Sequence, residues 1–382
     1  MTIALCIEPQ DLLFCRDGRP IVAGEGAAAG SAMPSPQVVA GAIRSAVLKA
    51  KNQLPAHGGT PDTAAIAAVR AIAIRGPLLY AQQDIRIVRD GMPIHLPAGA
   101  YIPMPADLIG TKAKHGQFGE PTDRLVPQSP LAGWMAPADA PQAQALWPSR
   151  RDKRPSAPDG DPVQPGEQAP QNGFLTWEGF LAWQSGRVPR ADQNHLRHIH
   201  QLWQTETRTQ VALTTDEAVA AEGDLFTTRY LRLEQGLGLY VEIDDDAVGQ
   251  MLCPQGNDHP SYRLHLGGDR RLARYRRIDP ITWPTVQGPA TALALTAPIL
   301  PPNDGRCPGC WKPQCIGLAI PGADPISGWD LEHQHPKPVR WALKPGSVWH
   351  LADGCDHPPL IGCETDTGYG WVAYGSPPSA AI

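Results

Sequence analysis

The sequence has no long apolar run. Its most apolar window, residues 290–300, contains Thr291 and Pro298 and is shorter than the roughly 20 residues that a membrane-spanning helix needs. The first residues also lack the basic start of a secretory signal, because the chain soon reaches Glu8 and Asp11. These two absences predict a cytoplasmic protein with no membrane contact.

Charged residues are scarce as well, at 19% of the chain, and they carry no basic excess. The formal net charge is -5 at pH 7, whereas a general nucleic-acid binder is normally strongly basic. Affinity for phosphate depends on where the cations lie, so an acidic body can still carry a basic groove. The overall charge therefore excludes a uniformly basic protein and leaves a local groove open.

Recognisable catalytic motifs are missing too. There is no Ser/His/Asp order, no His-Glu-x-x-His helix and no paired-carboxylate motif. His195, His198 and His200 flank Arg197 and offer acid–base groups for metal-independent RNA cleavage. The simpler alternative is a polar helix face. We therefore expect a protein that is not an enzyme.

What the chain does have is length, apolar residues and turns. Its 382 residues are 42% hydrophobic, enough to bury a substantial core in about two or three domains. The 42 prolines and 38 glycines favour hairpins and loops over long helices, which predicts an α+β fold. In the first third we expect a strand (residues 3–14), a helix capped by Ser35 and Pro36, a strand (71–79) and a hairpin (85–96).

The middle of the chain is rich in proline. Eight prolines lie between residues 136 and 171 with almost no large apolar residue, which predicts a loop or linker. It contains the basic run Arg150 to Arg154, usually a solvated feature. We therefore expect an N-terminal domain (1–135), a Pro-rich segment (136–172) and a C-terminal domain (173–382).

Strands dominate the predicted C-terminal domain. Thr176 is placed to cap a short helix, and Asp245 to Leu252 forms another. Residues 225–233 and 237–243 are expected to pair around Gln235-Gly236, and residues 339–343 and 347–351 to pair across Pro345-Gly346. Further strands are expected at 290–299 and 315–320. The pattern favours two related α+β lobes.

The segment from Tyr262 to Arg277 is the densest basic element. It places six arginines around the turn Gly267-Gly268. Glycine lets a backbone approach a phosphate closely, and arginine offers paired hydrogen bonds to phosphate and a flat face for bases. The segment is therefore interpreted as an RNA-phosphate groove, with a solvated hairpin as the alternative. Near the C-terminus, Gly368 to Gly375 is either a further RNA contact or a tight turn into a core strand.

Three of the eight cysteines are closely spaced. Cys307 and Cys310 form a Cys-x2-Cys turn and Cys315 follows, which resembles half of a zinc site because tetrahedral zinc needs four ligands. The fourth ligand is left open among Cys355, Cys363, His333 and His335. Buried free thiols are the alternative. Zinc is the one cofactor that the sequence suggests.

Several segments resemble one family. In chain order they are Ile7 to Pro20, Met33 to Ala46, Gly173 to Gly179, Leu266 to Arg271, Pro336 to Pro338, Lys344 to Val348 and Gly368 to Gly370. Together they resemble the third subunit of the Cmr complex, a RAMP (repeat-associated mysterious protein) subunit of type III-B CRISPR effectors. The resemblance is scattered over nearly the whole chain.

The resemblance implies two ferredoxin-like, RRM-like domains and a ribonucleoprotein role in RNA-guided antiviral defence. It implies binding of the 5′ handle of the CRISPR RNA (crRNA), docking on the large polymerase-like subunit, contact with the backbone RAMP subunits, indirect contact with target RNA and no nuclease activity. A helix start suits a phosphate because its N–H groups are free. The expected RNA-binding residues are Arg16, Asp17, Arg19, Ser35, Gln37, Arg44, Gly267, Gly268, Arg270, Arg271, Arg274, Gly368 and Gly370.

Two other functions stay open. One is a metal-independent RAMP endoribonuclease that processes the crRNA precursor with His195, His198 or His200. The other is a zinc-stabilised protein-docking module without RNA contact, built on Cys307, Cys310 and Cys315.

Overall fold

The structure, a computed structural model, describes residues 2–15, 33–54, 62–89, 91–111, 121–128, 144–148, 167–168, 173–213, 220–254, 262–269, 271–312, 314–330, 333 and 335–378. None of the helices in these ranges is long and apolar enough to cross a membrane. The predicted site residues Arg16, Asp17, Arg19 and Arg270, and the basic run Arg150 to Arg154, lie outside the described residues. The α-helices are α1 (Pro36–Ala50), α2 (Thr63–Arg70), α3 (Trp177–Gln184), α4 (Ile199–Leu202) and α5 (Asp246–Leu252).

Strands outnumber helices, which confirms the mixed α+β class. In chain order the strands are β1 (Ile3–Pro9), β2 (Ile74–Ala81), β3 (Ile85–Arg89), β4 (Met92–Leu96), β5 (Gly99–Pro103), β6 (Leu108–Thr111), β7 (Pro121–Gln128), β8 (Ala145–Pro148), β9 (Glu167–Gln168), β10 (Gly173–Leu175), β11 (Leu196–His198), β12 (Trp203–Leu213), β13 (Ala220–Leu233), β14 (Leu237–Ile243), β15 (Arg263–His265), β16 (Leu272–Ile278), β17 (Ala290–Ala294), β18 (Cys315–Ala319), β19 (Ala323–Ile326), β20 (Trp329–Asp330), β21 (His335–Pro336), β22 (Arg340–Leu343), β23 (Val348–Leu351) and β24 (Val372–Gly375).

An eight-stranded antiparallel sheet organises the chain up to residue 278. Its strand order is β11-β10-β5-β2-β14-β1-β16-β15. Four adjacent strands of this sheet, with α1 and α5, occur along the chain in the order β1-α1-β2-β14-α5-β16, a β–α–β–β–α–β succession with other elements inserted. Along the sheet, these four strands stand in the order fourth, first, third, second.

A second, four-stranded sheet spans residues 290–375. Its order is β18-β23-β17-β24, so its strands also stand as fourth, first, third, second when counted from β24. Where the first sheet has α1 and α5, the second has single 3-10 turns at Pro302–Asp304 and Thr365–Thr367. The two sheets thus share one strand order with very different connections.

Several predicted pairings are wrong. β13 pairs with β12, while β14 pairs with β1 and β2. Likewise β22 pairs with β19, and β23 pairs with β17 and β18. Each predicted turn exists, but the strands that it joins enter different sheets. β14 is buried along its whole length between β1 and β2, as expected of a strand inside a sheet that is covered on both faces.

The predicted domain boundaries do not follow the sheets. β1, β2 and β5 lie before residue 135, yet they share the eight-stranded sheet with β10, β11, β14, β15 and β16. The Pro-rich segment itself contributes β8, which pairs with β7, and β9, which pairs with β6. The described part of that segment is therefore paired within a small sheet of order β8-β7-β6-β9.

Alternation along β1 divides the core into two layers. Ile3, Leu5 and Ile7 face α1, α2 and α5 in one hydrophobic cluster. Ala4 faces the opposite side, where the second sheet contributes Trp371 and other apolar residues. Such alternation follows from the two-residue period of a strand, and it places the large sheet between a helical layer and the second sheet.

A buried ion pair joins the small sheet to α3. Arg124 and Asp107 are both fully buried, and Arg124 Nε donates to Asp107 Oδ2 at 2.9 Å. The Trp183 indole donates to Asp107 Oδ1 at 3.0 Å, and Arg124 Nη1 donates to the Trp183 carbonyl at 2.8 Å. Burial lowers the pKa of the neighbouring His350 to about 4. Within this group both charges of the ion pair are hydrogen-bonded.

Candidate nucleic-acid interface

The Gly267-Gly268 turn connects β15 to β16 and lies against the N-terminal segment. The Gly268 amide donates to the Phe14 carbonyl at 2.7 Å. Gly267 has φ +77°, and a Cβ there would stand 2.5 Å from the same carbonyl. These glycines therefore allow two protein segments to approach closely, and they bring the turn beside Cys15, the residue that precedes the predicted Arg16 loop.

Tyr230 is the centre of this region. Its ring lies 5.2 Å from the Phe14 ring, and its hydroxyl donates to Asp269 and accepts a hydrogen bond from Gln210. The guanidinium carbons of Arg208 and Arg271 lie 5.4 and 5.1 Å from the ring centroid, within the range of cation–π attraction. Buried Tyr230 thus fixes the β12–β13 hairpin, the glycine turn and the N-terminal segment to one another.

The arginines around Tyr230 are joined by carboxylates into a ring. Arg208 pairs with Glu206 at 2.6 Å, and Glu206 pairs with Arg232 at 3.0 Å. Arg232 pairs with Asp11 at 3.1 Å, and Asp11 pairs with Arg271 at 3.3 Å. Since Arg208 and Arg271 both lie over Tyr230, the chain of ion pairs closes. We call these five charged residues the arginine ring; three cations and two anions give it a net charge of +1.

The pKa shifts within the ring have the direction expected of paired charges. Hydrogen bonds from Arg208 and then Arg232 lower the pKa of Glu206. The hydrogen bond to Glu206 raises the pKa of Arg232. Both groups are therefore held in their charged forms.

β16 carries further arginines beside the ring. Ala273 and Tyr275 face the core, so Arg274 and Arg276 face the opposite side of the sheet. In register, Arg274 stands opposite Glu8 on β1 and opposite Arg263 on β15. Arg276 pairs with Glu8. Arg271, at the glycine turn, and Arg274, on β16, thus both lie at the β15–β16 end of the large sheet.

A cleft of about 560 Å³ opens next to the ring. Asp11 and Arg232 of the ring form part of its wall, together with Gln204 and the turn at Gly236. Glu234, also in the wall, pairs with Arg89. The cleft is polar. Among the described residues, Arg232 is the single cationic one in its lining, which also carries the carboxylates of Glu8, Asp11 and Glu234.

The start of α1 meets the C-terminal glycine turn. Ser35 is the N-cap of α1, and Pro36 occupies its first turn. The Tyr369 hydroxyl contacts the Ser35 side chain and the Gln37 backbone amide. Gly368 and Gly370 are buried, and an added Cβ would stand 2.6 Å from the Gly76 carbonyl at the first and would overlap the Ile361 carbonyl at the second. Packing against protein backbone therefore accounts for both glycines.

Arg44 and Gln37 also make protein contacts. Arg44 Nη2 donates to the carbonyls of Arg70, Ile72 and Asp366, each at 3.1 Å, and pairs with the Asp366 carboxylate at 3.2 Å. Gln37 donates to the Ser327 carbonyl at 3.5 Å. Burial lowers the pKa of Arg44. In this structure Arg44 holds together α1, the end of α2 and the 3-10 turn that precedes Gly368.

The proposed zinc ligands do not form a metal site, although Cys355 packs against the cluster that contains Cys307 and Cys315. Among the described residues, no three His, Cys, Asp or Glu side chains are placed to hold a metal ion. Cys307 and Cys315 are buried in an apolar cluster with Trp311, whereas Cys310 is exposed on the turn. The alternative interpretation, free thiols that pack as small apolar side chains, accounts for Cys307 and Cys315.

The three histidines have local structural contacts. His195 Nδ1 accepts a hydrogen bond from the Arg190 amide at 3.1 Å. His198 is the N-cap of α4, and its Nδ1 accepts from the His200 amide at 3.3 Å. Burial lowers the pKa of both His195 and His198. Capping and turn formation account for these two side chains.

The sequence predicts Arg271, Arg274 and the glycine turn as RNA-binding residues, but it does not predict the other four residues of the ring. Glu206, Arg208 and Arg232 lie on the same face of the β12–β13 hairpin as Tyr230, which stands opposite Glu206. The sequence signal was present as alternation along residues 204–210, where Gln204, Glu206, Arg208 and Gln210 share one face. This alternation does not reveal the ring as long as β13 is expected to pair with β14 rather than with β12.

These features define a strand-rich α+β protein with two sheets of one strand order and an arginine-lined edge. The chain belongs to the family of CRISPR-associated proteins designated Cas_Cmr3, whose model matches residues 5–357. This confirms the family resemblance drawn from the motifs. No curated protein matches the chain.

Solved structures with a similar fold include a chain of the type III-B Cmr-beta complex bound to cognate target RNA and AMPPnP. The TM-score is 0.51 at 15% identity, over 91% of this chain and 86% of that one. The same complex without AMPPnP gives 0.49 at 15% identity over 91% and 86%. A Csm3–Csm4 subcomplex of a type III-A complex gives 0.38 at 13% identity over 97% and 98%. At such identities the first of these supports a shared fold and no more.

Proposed function

We propose that this chain is a non-catalytic, RNA-binding subunit of a type III-B CRISPR (Cmr) effector, that it binds the 5′ handle of the crRNA, and that it docks the large subunit. The observation that carries the proposal is the meeting of the Gly267-Gly268 turn, the Phe14 segment and the arginines around Tyr230 in a member of this family. Guanidinium groups at a polar edge suit a phosphodiester backbone.

The fold part of the proposal is that each large sheet is a ferredoxin-like unit. Both sheets place their strands in the order fourth, first, third, second, and the first also has the β–α–β–β–α–β succession. In this proposal the units divide between β16 and β17, at residues 279–289, rather than at the Pro-rich segment.

The handle site is proposed to combine both glycine turns. α1 contacts β15, which leads into Gly267, and the 3-10 turn that leads into Gly368. Helix α1 therefore connects the two clusters that the family resemblance assigns to RNA. Arg16, Asp17, Arg19 and Arg270 stay in the proposed site as sequence predictions.

The docking part rests on an exposed apolar hairpin, in which β19 pairs with β22 and β20 pairs with β21. Trp341 on β22 is 66% exposed, and Trp329 on β20 is 56% exposed. Val339 is exposed beside them, whereas the other side of the hairpin pairs Arg340 with Glu364. Exposed tryptophans are enriched at protein interfaces. We propose that this hairpin contacts the large subunit, and that the backbone RAMP subunits and target RNA are reached through the assembled complex.

The RNA part is tested with the assembled complex and a labelled crRNA. Arg271→Ala and Arg274→Ala should each weaken crRNA binding, and the slope of log K against log salt should fall by about 0.7 for each phosphate that the variant no longer binds. Arg187→Ala is the control, because Arg187 is exposed and bonded to Ser185 away from the glycine turn. Unchanged slopes for both test variants would remove this edge from the RNA site.

Two further assays test docking and the absence of catalysis. Trp341→Ala should reduce co-purification of the large subunit while crRNA binding stays normal. Val88→Ala is the control, because Val88 is exposed on the separate β3–β4 hairpin.

For catalysis, the purified chain should leave repeat RNA intact. Cleavage that His198→Ala abolishes would establish the endoribonuclease alternative instead.

A further inference from the structure

The arginine ring has features that stability alone does not explain. Arg208 and Arg232 are 42% and 45% exposed, and Asp11 is 50% exposed. Ion pairs at such exposure contribute little to folding, because water and salt screen them. Yet four consecutive pairs close around a fully buried tyrosine, so the guanidinium groups are held in position at a solvent-facing site.

Tyr230 contacts two of the three arginines. Its face attracts the guanidinium planes of Arg208 and Arg271, while Gln210 and Asp269 hold its hydroxyl. An oriented guanidinium loses little conformational freedom when it binds an anion, because its planar fork is already in place. The site is thus organised before a ligand arrives.

We propose that the arginine ring binds a phosphodiester of the RNA strand through Arg208, Arg232 and Arg271, and that Asp11 and Glu206 are resident counterions which the phosphate replaces. Until RNA binds, the carboxylates of Asp11 and Glu206 accept hydrogen bonds from the guanidinium groups of the ring. They thereby reduce affinity for any RNA whose other contacts do not compensate, which makes Asp11 and Glu206 determinants of specificity.

The proposal names RNA phosphate rather than an acidic protein as the ligand. Through Arg271 the ring adjoins the Gly267-Gly268 turn at the β15–β16 end of the sheet, so a strand bound at the turn passes beside the β12–β13 hairpin. The neighbouring cleft of about 560 Å³ leaves room beside Arg232 for part of a nucleotide. This inference rests on the proposed function.

The experiment uses the full chain and two labelled RNAs, one with the handle sequence and one scrambled, over a salt series. Asp11→Asn and Glu206→Gln should each raise affinity for scrambled RNA by about two- to fivefold, the equivalent of one exposed ion pair. The increase for handle RNA should be smaller, and the salt slope should become steeper. Arg208→Ala and Arg232→Ala should weaken binding of both RNAs.

Asp192→Asn is the matched control. It removes the same charge from an exposed pair, with Arg190 at 2.7 Å, on a 3-10 turn away from the ring. If Asp11→Asn and Glu206→Gln leave scrambled-RNA affinity unchanged or lower it, the counterion role is overturned and the acids only orient the arginines. An equal increase in scrambled-RNA affinity for Asp192→Asn would show that the effect comes from net charge alone. That result would also overturn the counterion role.

The two proposals fail in different ways. If Arg271→Ala and Arg274→Ala do not affect handle binding, the RNA site itself is wrong. If they weaken binding while the acidic variants show no gain, the RNA site stands and only the counterion role is overturned.

Discussion

The Gly268 amide donates to the Phe14 carbonyl at 2.7 Å, and this bond joins the basic turn to the N-terminal segment. The two residues are far apart in the chain, yet the contact places the glycine turn, Tyr230 and the arginine ring around one point. The geometry of this turn is therefore the first property to test.

Gly267→Ala should destabilise the protein and weaken crRNA binding. Its φ of +77° is strained for alanine by about 1–3 kcal/mol, and the Cβ would stand 2.5 Å from the Phe14 carbonyl. Gly354→Ala is the control, since its φ is +78° with nothing within 4 Å. Urea unfolding should give a larger loss of stability at Gly267. Equal losses would show that the close approach is unimportant.

Arg44→Ala should lower the free energy of unfolding by about 1–3 kcal/mol, because the carbonyl groups of Arg70, Ile72 and Asp366 lose the Nη2 group whose hydrogens they share. The crRNA salt slope should stay unchanged, since the guanidinium is engaged with protein. Arg44 was predicted from the family to contact RNA, so a reduced slope at constant stability would favour that prediction over the bracing role.

The buried Asp107–Arg124 pair should behave as a unit. Arg124→Met leaves the Asp107 carboxylate buried without its cation and should cost about 3–5 kcal/mol. The double variant Asp107→Leu, Arg124→Met should recover part of this loss, because no buried charge is left. Denaturant unfolding of the two single variants and the double variant measures the coupling. Additive losses would contradict the pairing.

His350 should make the free energy of unfolding depend on pH. Burial lowers its pKa from the ordinary 6.5 to about 4, so the folded state prefers the neutral ring. The stability from this preference is complete above pH 6.5 and is lost as the pH falls toward 4, a change of about 3 kcal/mol. His350→Leu removes this titration. The wild-type protein should therefore lose more stability than the variant over this range, and parallel curves would contradict the prediction.

Local elements could be predicted because their signals lie within a few residues. Ser35 and Pro36 begin α1, Thr176 caps α3 by accepting from the Gly179 amide, and the 85–96 hairpin is formed by β3 and β4. One local signal was missed: α2 precedes β2, which begins at Ile74 rather than at residue 71. The signal was present, because the buried residues Ala65, Ile66 and Val69 of α2 recur at helical spacing.

Long-range pairings were not predictable in the same way. The turn at Gln235-Gly236 is real, but whether β14 pairs with β13 or with β1 depends on residues more than two hundred positions away. The cysteines show the same limit, because Cys-x2-Cys spacing predicts a ligand pair only if two more ligands arrive from elsewhere. Among the described residues no three such side chains are placed to hold a metal ion.

The sequence by itself determined the family, the α+β class, the capped helices and the need for glycine at residues 267 and 268. Only the tertiary structure decided what those glycines approach, which strands share a sheet, and that Asp11, Glu206, Arg208, Arg232 and Arg271 form one ring around Tyr230. The physical reason is how far apart in the chain the interacting residues lie. Caps and turns depend on neighbouring backbone groups, whereas a charged ring exists only after distant strands have paired and buried the ring's aromatic centre.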